Sequence, residues 1–150
     1  TGVGGGSVLD RDGEAFLWDG YHGGAAEIGH MILDGERSFE DLCSSRSQYL
    51  WKGRDPMAIE REARAGNKEY QDVYKKFGFW LGVGIANTIN VINPEIVIVG
   101  GSISKAWDLF KEEMNKSAKK YIISIQAKET KIVSAKLGDD AGALGAAYLI

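Results

Sequence analysis

One cysteine, two histidines and two prolines are spread over the 150 residues, and each scarcity closes off a class of structure. A lone thiol, Cys43, forms no disulfide within the chain and suits a reducing cytoplasm. Two histidines, His22 and His30, with one cysteine are too few for a closed structural zinc site of the Cys/His kind. A formal net charge of −3 without a dense Lys/Arg block argues against nucleic acid as the main partner. Lys75-Lys76 and Lys119-Lys120 read as solvated helix faces. No secretory signal pattern opens the sequence. The most apolar stretch, residues 77–92, contains Asn87 and Asn90 and falls short of the ~20 residues that span a bilayer. No membrane partner is expected, and Gly78 and Gly82 within that stretch read as a close helix contact in a core.

Glycine is what the chain has in excess: 20 residues, against an average share of about 7%. The glycines gather at junctions, as in Gly4-Gly5-Gly6, Gly23-Gly24 and Gly100-Gly101, where tight turns or close backbone approach to a ligand call for them. The sequence opens at Thr1-Gly2-Val3, inside a ligand-type loop, and reads as part of something longer.

Residues 3–10 and 15–18 read as strands joined by the turn Asp10-Arg11-Asp12-Gly13. A short strand is expected over 30–33, then a helix from Ser38 or Asp41 to about Trp51. A further helix starts at Asp55-Pro56 and ends at Gly66-Asn67. Tyr70, Tyr74, Phe77, Leu81, Ile85 and Ile92 keep the spacing of one buried helical face, which Asn93-Pro94 stops. Residues 95–99 are apolar without alternation, the pattern of a central parallel strand covered on both faces. Trp107, Phe110, Met114 and Tyr121 share the face of a following helix, residues 130–135 form another strand, and a last helix runs from Gly138-Asp139-Asp140 to Tyr148. The sum is one α/β domain.

Three segments carry possible chemistry. Thr1-Gly2-Val3-Gly4-Gly5-Gly6 is either a loop whose exposed N–H groups let an anion approach or a flexible strand edge. Gly100-Gly101-Ser102 follows a strand at its carboxyl end, where ligands sit in open α/β sheets, although an ordinary turn has the same composition. Glu27, His30 and Glu40 supply two carboxylates and an imidazole near a glycine-rich bend. They can serve several polyol hydroxyls, they can serve a metal, or His30 is an ordinary satisfied group.

Taken in order, the Thr1–Gly6 loop, Glu27-Ile28-Gly29-His30-Met31, residues 82–101 ending in Asn93-Pro94-Glu95-Ile96-Val97-Ile98-Val99-Gly100-Gly101, and Gly138-Asp139-Asp140-Ala141-Gly142 resemble the ROK family of bacterial sugar kinases and sugar-responsive repressors. The resemblance covers essentially the whole chain. It implies an actin-like ATPase (ribonuclease H-like) lobe, the C-terminal one, with a mixed sheet and helices on both faces. It also implies that Thr1 and Gly2 contact the transferable phosphate of ATP, and that Gly100, Gly101 and Ser102 lie along the adenosine. Glu27 and His30 would hold sugar hydroxyls. Glu40 would be the second sugar-binding glutamate, since Glu40-Asp41-Leu42-Cys43-Ser44 resembles the family's Glu-Ala-x-Ala-Ser run.

Two departures qualify the likeness. The family's Cys-rich zinc loop has no counterpart in residues 31–39, so a zinc-less variant without a metal site is expected, with Cys43 a small packed residue. The family's general-base aspartate belongs to the preceding lobe, so the 150 residues alone are expected to be inactive. The implied reaction of the parent is transfer of the ATP γ-phosphate to a hexose hydroxyl, with Mg²⁺ arriving on the nucleotide. The N-terminal lobe and a second copy of the protein are the other implied partners. The alternatives are the effector-binding lobe of a sugar-sensing repressor and a non-catalytic piece that dimerises through the long helix.

Overall fold

A computed structural model of the chain describes residues 2–11, 14–18, 20–24 and 26–147. Its centre is a pair of helices. Asn67 starts α4 (Lys68–Ile92) by accepting a hydrogen bond from the Glu69 amide at 3.1 Å. Asn93, in the left-handed conformation at φ 51°, ends it before Pro94. Between these caps Tyr74, Phe77, Leu81, Ile85 and Ile89 recur every three or four residues and are buried. α5 (Trp107–Tyr121) faces them with Phe110, Met114 and Ala118, each fully buried. The rings of Phe77 and Phe110 meet edge to face at 4.9 Å.

Glycine sets how closely the two helices approach. A Cβ at Gly78 would lie 2.6 Å from the Phe110 carbonyl oxygen. A Cβ at Gly82 would run into the Met114 carbonyl and come within 2.8 Å of the Ser117 Cβ. The Gly78/Gly82 pair is thus the helix contact that its spacing suggests. Ser117 donates to the Phe79 carbonyl at 2.8 Å across the same seam.

The other elements attach to this pair. α3 (Pro56–Arg64) starts at Asp55, whose side chain accepts from the Met57 amide at 3.1 Å, with Pro56 at its first position. Arg64 at its end donates to both oxygens of Asp108 on α5, at 2.8 and 3.0 Å, and holds that carboxyl below its ordinary range. Asn90 uses both ends of its amide on the chain leaving α5, donating to the Tyr121 carbonyl and accepting from the Ile123 amide, each at 3.0 Å. β3 (Ile96–Val99) and β4 (Lys131–Ser134) pair in parallel, Ile96 opposite Lys131. β1 (Ser7–Arg11) and β2 (Glu14–Trp18) form an antiparallel hairpin with Arg11 opposite Glu14. Asp12 and Gly13 of the expected turn lie outside the described residues, as does Tyr148, beyond α6 (Ala141–Ala147).

Four details differ from the sequence reading. Residues 30–33 are not a strand: a 3₁₀ turn spans Ile28–His30, and only Ile32 bridges, to Ser38. The helix expected up to Trp51 is two helices, α1 (Phe39–Cys43) and α2 (Gln48–Trp51). Ser44 is extended and its hydroxyl accepts from the Arg46 amide, while the Ser47 hydroxyl accepts from Leu50 and starts α2 anew. The Trp51 indole fixes the break by donating to the Ser44 carbonyl at 2.8 Å. β3 is covered on one face only among the described residues. Val97 and Val99 pack on the core, whereas Ile96 and Ile98 are 44% and 62% exposed. Among the described residues the strands make two two-stranded ladders, one antiparallel and one parallel, within the α/β architecture.

Replacing Gly82 by Ala tests the helix seam. Alanine is the better helix former by about 1 kcal/mol, but here its methyl meets the backbone of α5. The expected outcome is a net loss of about 1–3 kcal/mol in unfolding free energy, read from a lower urea midpoint. An unchanged or raised midpoint would show that α5 is not held at glycine distance.

Candidate functional site

Three stretches of chain converge on the Glu40 carboxylate. Ser38 caps α1 through its hydroxyl, which accepts from the Asp41 amide at 3.1 Å, while the Asp41 carboxylate accepts from the Ser38 amide at 2.9 Å. The box fixes the first turn of α1, which carries Glu40. Glu40 Oε2 then accepts from the Val3 amide at 3.0 Å. A Cβ at Gly2 would strike the same carboxylate. A Cβ at Gly29 would strike the Val3 carbonyl and stand 3.6 Å from Glu40 Oε2. At Gly5 it would come within 2.7 Å of the Ile28 Cδ1. Gly29 is therefore required by the backbone packed against it, whereas at 2 and 5 a Cβ would displace the ends of the Glu40 and Ile28 side chains. Gly4 differs: nothing stands within 4 Å of its Cβ position. Thr1 lies outside the described residues.

Glu27 and His30 flank the buried Gly29 across the 3₁₀ turn. His30 Nε2 lies 3.9 Å from Glu27 Oε2, with the side chains 79% and 70% exposed, so both stand in water and are free to meet a ligand. The three residues read as polyol-binding thus come from neighbouring backbone. Glu27 and His30 point into solvent, while Glu40 is committed through one oxygen to the glycine loop.

Gly101 occupies φ 80°, a conformation that favours glycine, and leads into the 3₁₀ turn Ser102–Ala106. Its carbonyl accepts from the Ser104 amide at 3.0 Å and the Ser104 hydroxyl at 2.7 Å. Residues 100–102 and residues 2–4 line one cavity of about 330 Å³. That volume is at the lower end for a small-molecule site. Its apolar lining includes Phe39, Trp51, Tyr74, Phe77, Leu81 and Val99. Burial there pushes the Tyr74 phenol up to about 12. Glu27, His30 and Glu40 are not part of this lining. The sequence reading brought both glycine loops to the site but missed the aromatic floor, whose α4 members were visible only as a helix face.

Among the described residues the donors around His30 do not make a zinc set. Residues 31–39 contain no cysteine. Cys43 is buried, and burial pushes its thiol up, so it is a protonated packing residue. Among the described residues no three His, Cys, Asp or Glu side chains are grouped to hold a metal. No helix among them is long and apolar enough to cross a membrane.

The α/β architecture is that of the actin-like ATPase fold, as in the ROK sugar kinases it matches. The chain belongs to the ROK family, whose profile matches residues 1–150. It is 34% identical over 157 residues to an uncharacterized protein of Clostridium perfringens, covering 99% of this chain and 52% of that protein. It is 29% identical over 187 residues to a glucokinase of Streptomyces coelicolor, covering 99% and 56%. A xylose repressor of Bacillus subtilis is 24% identical over 165 residues, covering 100% and 42%. The fold matches a ROK glucokinase from Streptomyces griseus, solved with glucose and AMPPNP, at TM-score 0.83 and 25% identity over 99% of this chain and 57% of that one. The chain spans about half the length of the curated relatives it matches.

Glu40→Ala removes the acceptor that holds Val3. Hydrogen exchange of the Val3 amide is expected to accelerate by about tenfold or more, as the lost bond is worth roughly 1.5–3 kcal/mol when charged. Amide exchange followed by NMR reads this directly, and unchanged protection of Val3 would refute the clamp.

Proposed function

We propose that this chain is the C-terminal, sugar- and ATP-binding lobe of an ATP-dependent hexose kinase. One observation carries the reading: the Gly2–Gly4 and Gly100–Ser102 loops share a cavity, and Val3 of the first loop is bonded to the Glu40 carboxylate and packed against Gly29. The loop amides and a glycine-lined turn suit a nucleotide, with Thr1 and Gly2 towards its phosphates and Gly100, Gly101 and Ser102 along the adenosine. Mg²⁺ comes with the nucleotide. Glu27, His30 and Glu40 suit sugar hydroxyls, which donate to carboxylates and accept from an imidazole N–H. A sugar hydroxyl then attacks the γ-phosphorus, the bond to the bridging oxygen of ADP breaks, and the hydroxyl proton passes to an aspartate of the N-terminal lobe. The glucokinases among the relatives support this reading. A second copy of the protein is a further proposed partner.

The repressor relative, matched over the whole of this chain, supports a second reading, in which the same lobe senses a sugar and moves a DNA-binding domain. ATP consumption separates the two. The full-length kinase consumes ATP with a hexose at about 1–100 s⁻¹, the 150 residues alone give no turnover, and a repressor binds sugar without consuming ATP. Glu27→Ala or His30→Ala in the full-length protein is expected to weaken sugar affinity by roughly tenfold or more, measured by calorimetry. Unchanged affinity in both would remove them from the site.

A further inference from the structure

Asp34 is outside every residue set assigned above, yet its side chain is only 12% exposed and is wholly engaged in its own turn. Oδ1 accepts from the amides of Arg37 at 2.8 Å and Glu36 at 3.3 Å, and Oδ2 pairs with the Arg37 guanidinium. That guanidinium lies 4.0 Å over the ring of Tyr49 on α2, which fastens the tip of the turn to the helical layer. Behind the tip the chain closes as a short hairpin. The Leu33 amide donates to the Arg37 carbonyl at 2.9 Å, Ile32 pairs with Ser38, and the Phe39 amide donates to the Met31 carbonyl at 2.8 Å.

His30 immediately precedes this hairpin and Glu40 immediately follows it. The two stand at its open end, and its register sets their separation, since a slip of one residue would turn the following side chains to the opposite face. Gly35 at φ 90° fits the tight turn that keeps that register.

We propose that Asp34 is a positioning residue: by closing the hairpin over residues 31–39 it holds His30 and Glu40 at the spacing a sugar requires. The proposal rests on the reading of those two as sugar ligands. Asp34 itself touches neither substrate.

The test uses the full-length protein with glucose, fructose, mannose and N-acetylglucosamine as probes. Asp34→Ala is expected to raise the sugar KM and the sugar Kd by roughly tenfold or more, as a displacement of about 1 Å in a site does, while the KM for ATP stays unchanged. Asp34→Asn keeps the acceptor for the two amides and is expected to recover most of the affinity. Two glycines inserted between Gly35 and Glu36 break the same turn without altering a buried side chain, and should reproduce the Asp34→Ala pattern even if that variant fails to fold. Unchanged sugar affinity in Asp34→Ala or in the insertion variant overturns the proposal, as does a parallel rise in both KM values. A wild type that binds sugar without transferring phosphate removes the kinase reading, and the brace is then judged on sugar Kd alone. A wild type that binds no probe sugar sinks both.

Discussion

Two glycines on α4 decide how near α5 can come, and most of the remaining geometry follows from that distance. With backbone against backbone at Gly78 and Gly82, Phe110 and Met114 reach into the α4 face and are fully buried. The approach also brings the helix ends together. Arg64 then spans to Asp108 at one end, and Asn90 holds the exit of α5 at the other. A surface ion pair such as Arg64–Asp108 adds little by itself, so its part is to orient α3 on a seam already set by packing.

From that seam the site is assembled at the margins of the helical layer. Phe39 is buried against the α4 face at Gly84, where a Cβ would strike its ring, so α1 is seated by a third glycine of the same helix. Seating α1 places Glu40, and Glu40 places the Val3 amide. A chain of contacts thus runs from the core through Phe39 to the glycine loop. Each contact in it is short and depends on a residue without a side chain at the crossing point.

The sequence was legible where local chemistry decides the outcome. Asp55-Pro56 and Asn93-Pro94 marked helix ends through the fixed conformation and missing donor of proline, and these ends stand where expected. The close contact at Gly78 and Gly82 was readable from its spacing. The break at Ser44 was not, because Ser44 and Ser47 compete for backbone amides in a way that only the Trp51 anchor settles. The open face of β3 was hidden for another reason: Ile96 and Ile98 have the composition of a covered strand, and coverage depends on other elements. At the site, residue types were readable but not their engagements. Glu40 and Val3 are 37 positions apart, and nothing in either neighbourhood names the other.

The hairpin over residues 31–39 has a consequence for how much its own sequence can change. It is closed at its base by main-chain bonds and at its tip by Asp34, so tip and ends behave as one stiff unit. Lengthening a closed loop is cheap in entropy, about 0.6 kcal/mol for each doubling. Loop length is thus limited by the register behind it and not by entropy, and a new tip keeps the spacing of the ends only where it rebuilds the turn that sets that register.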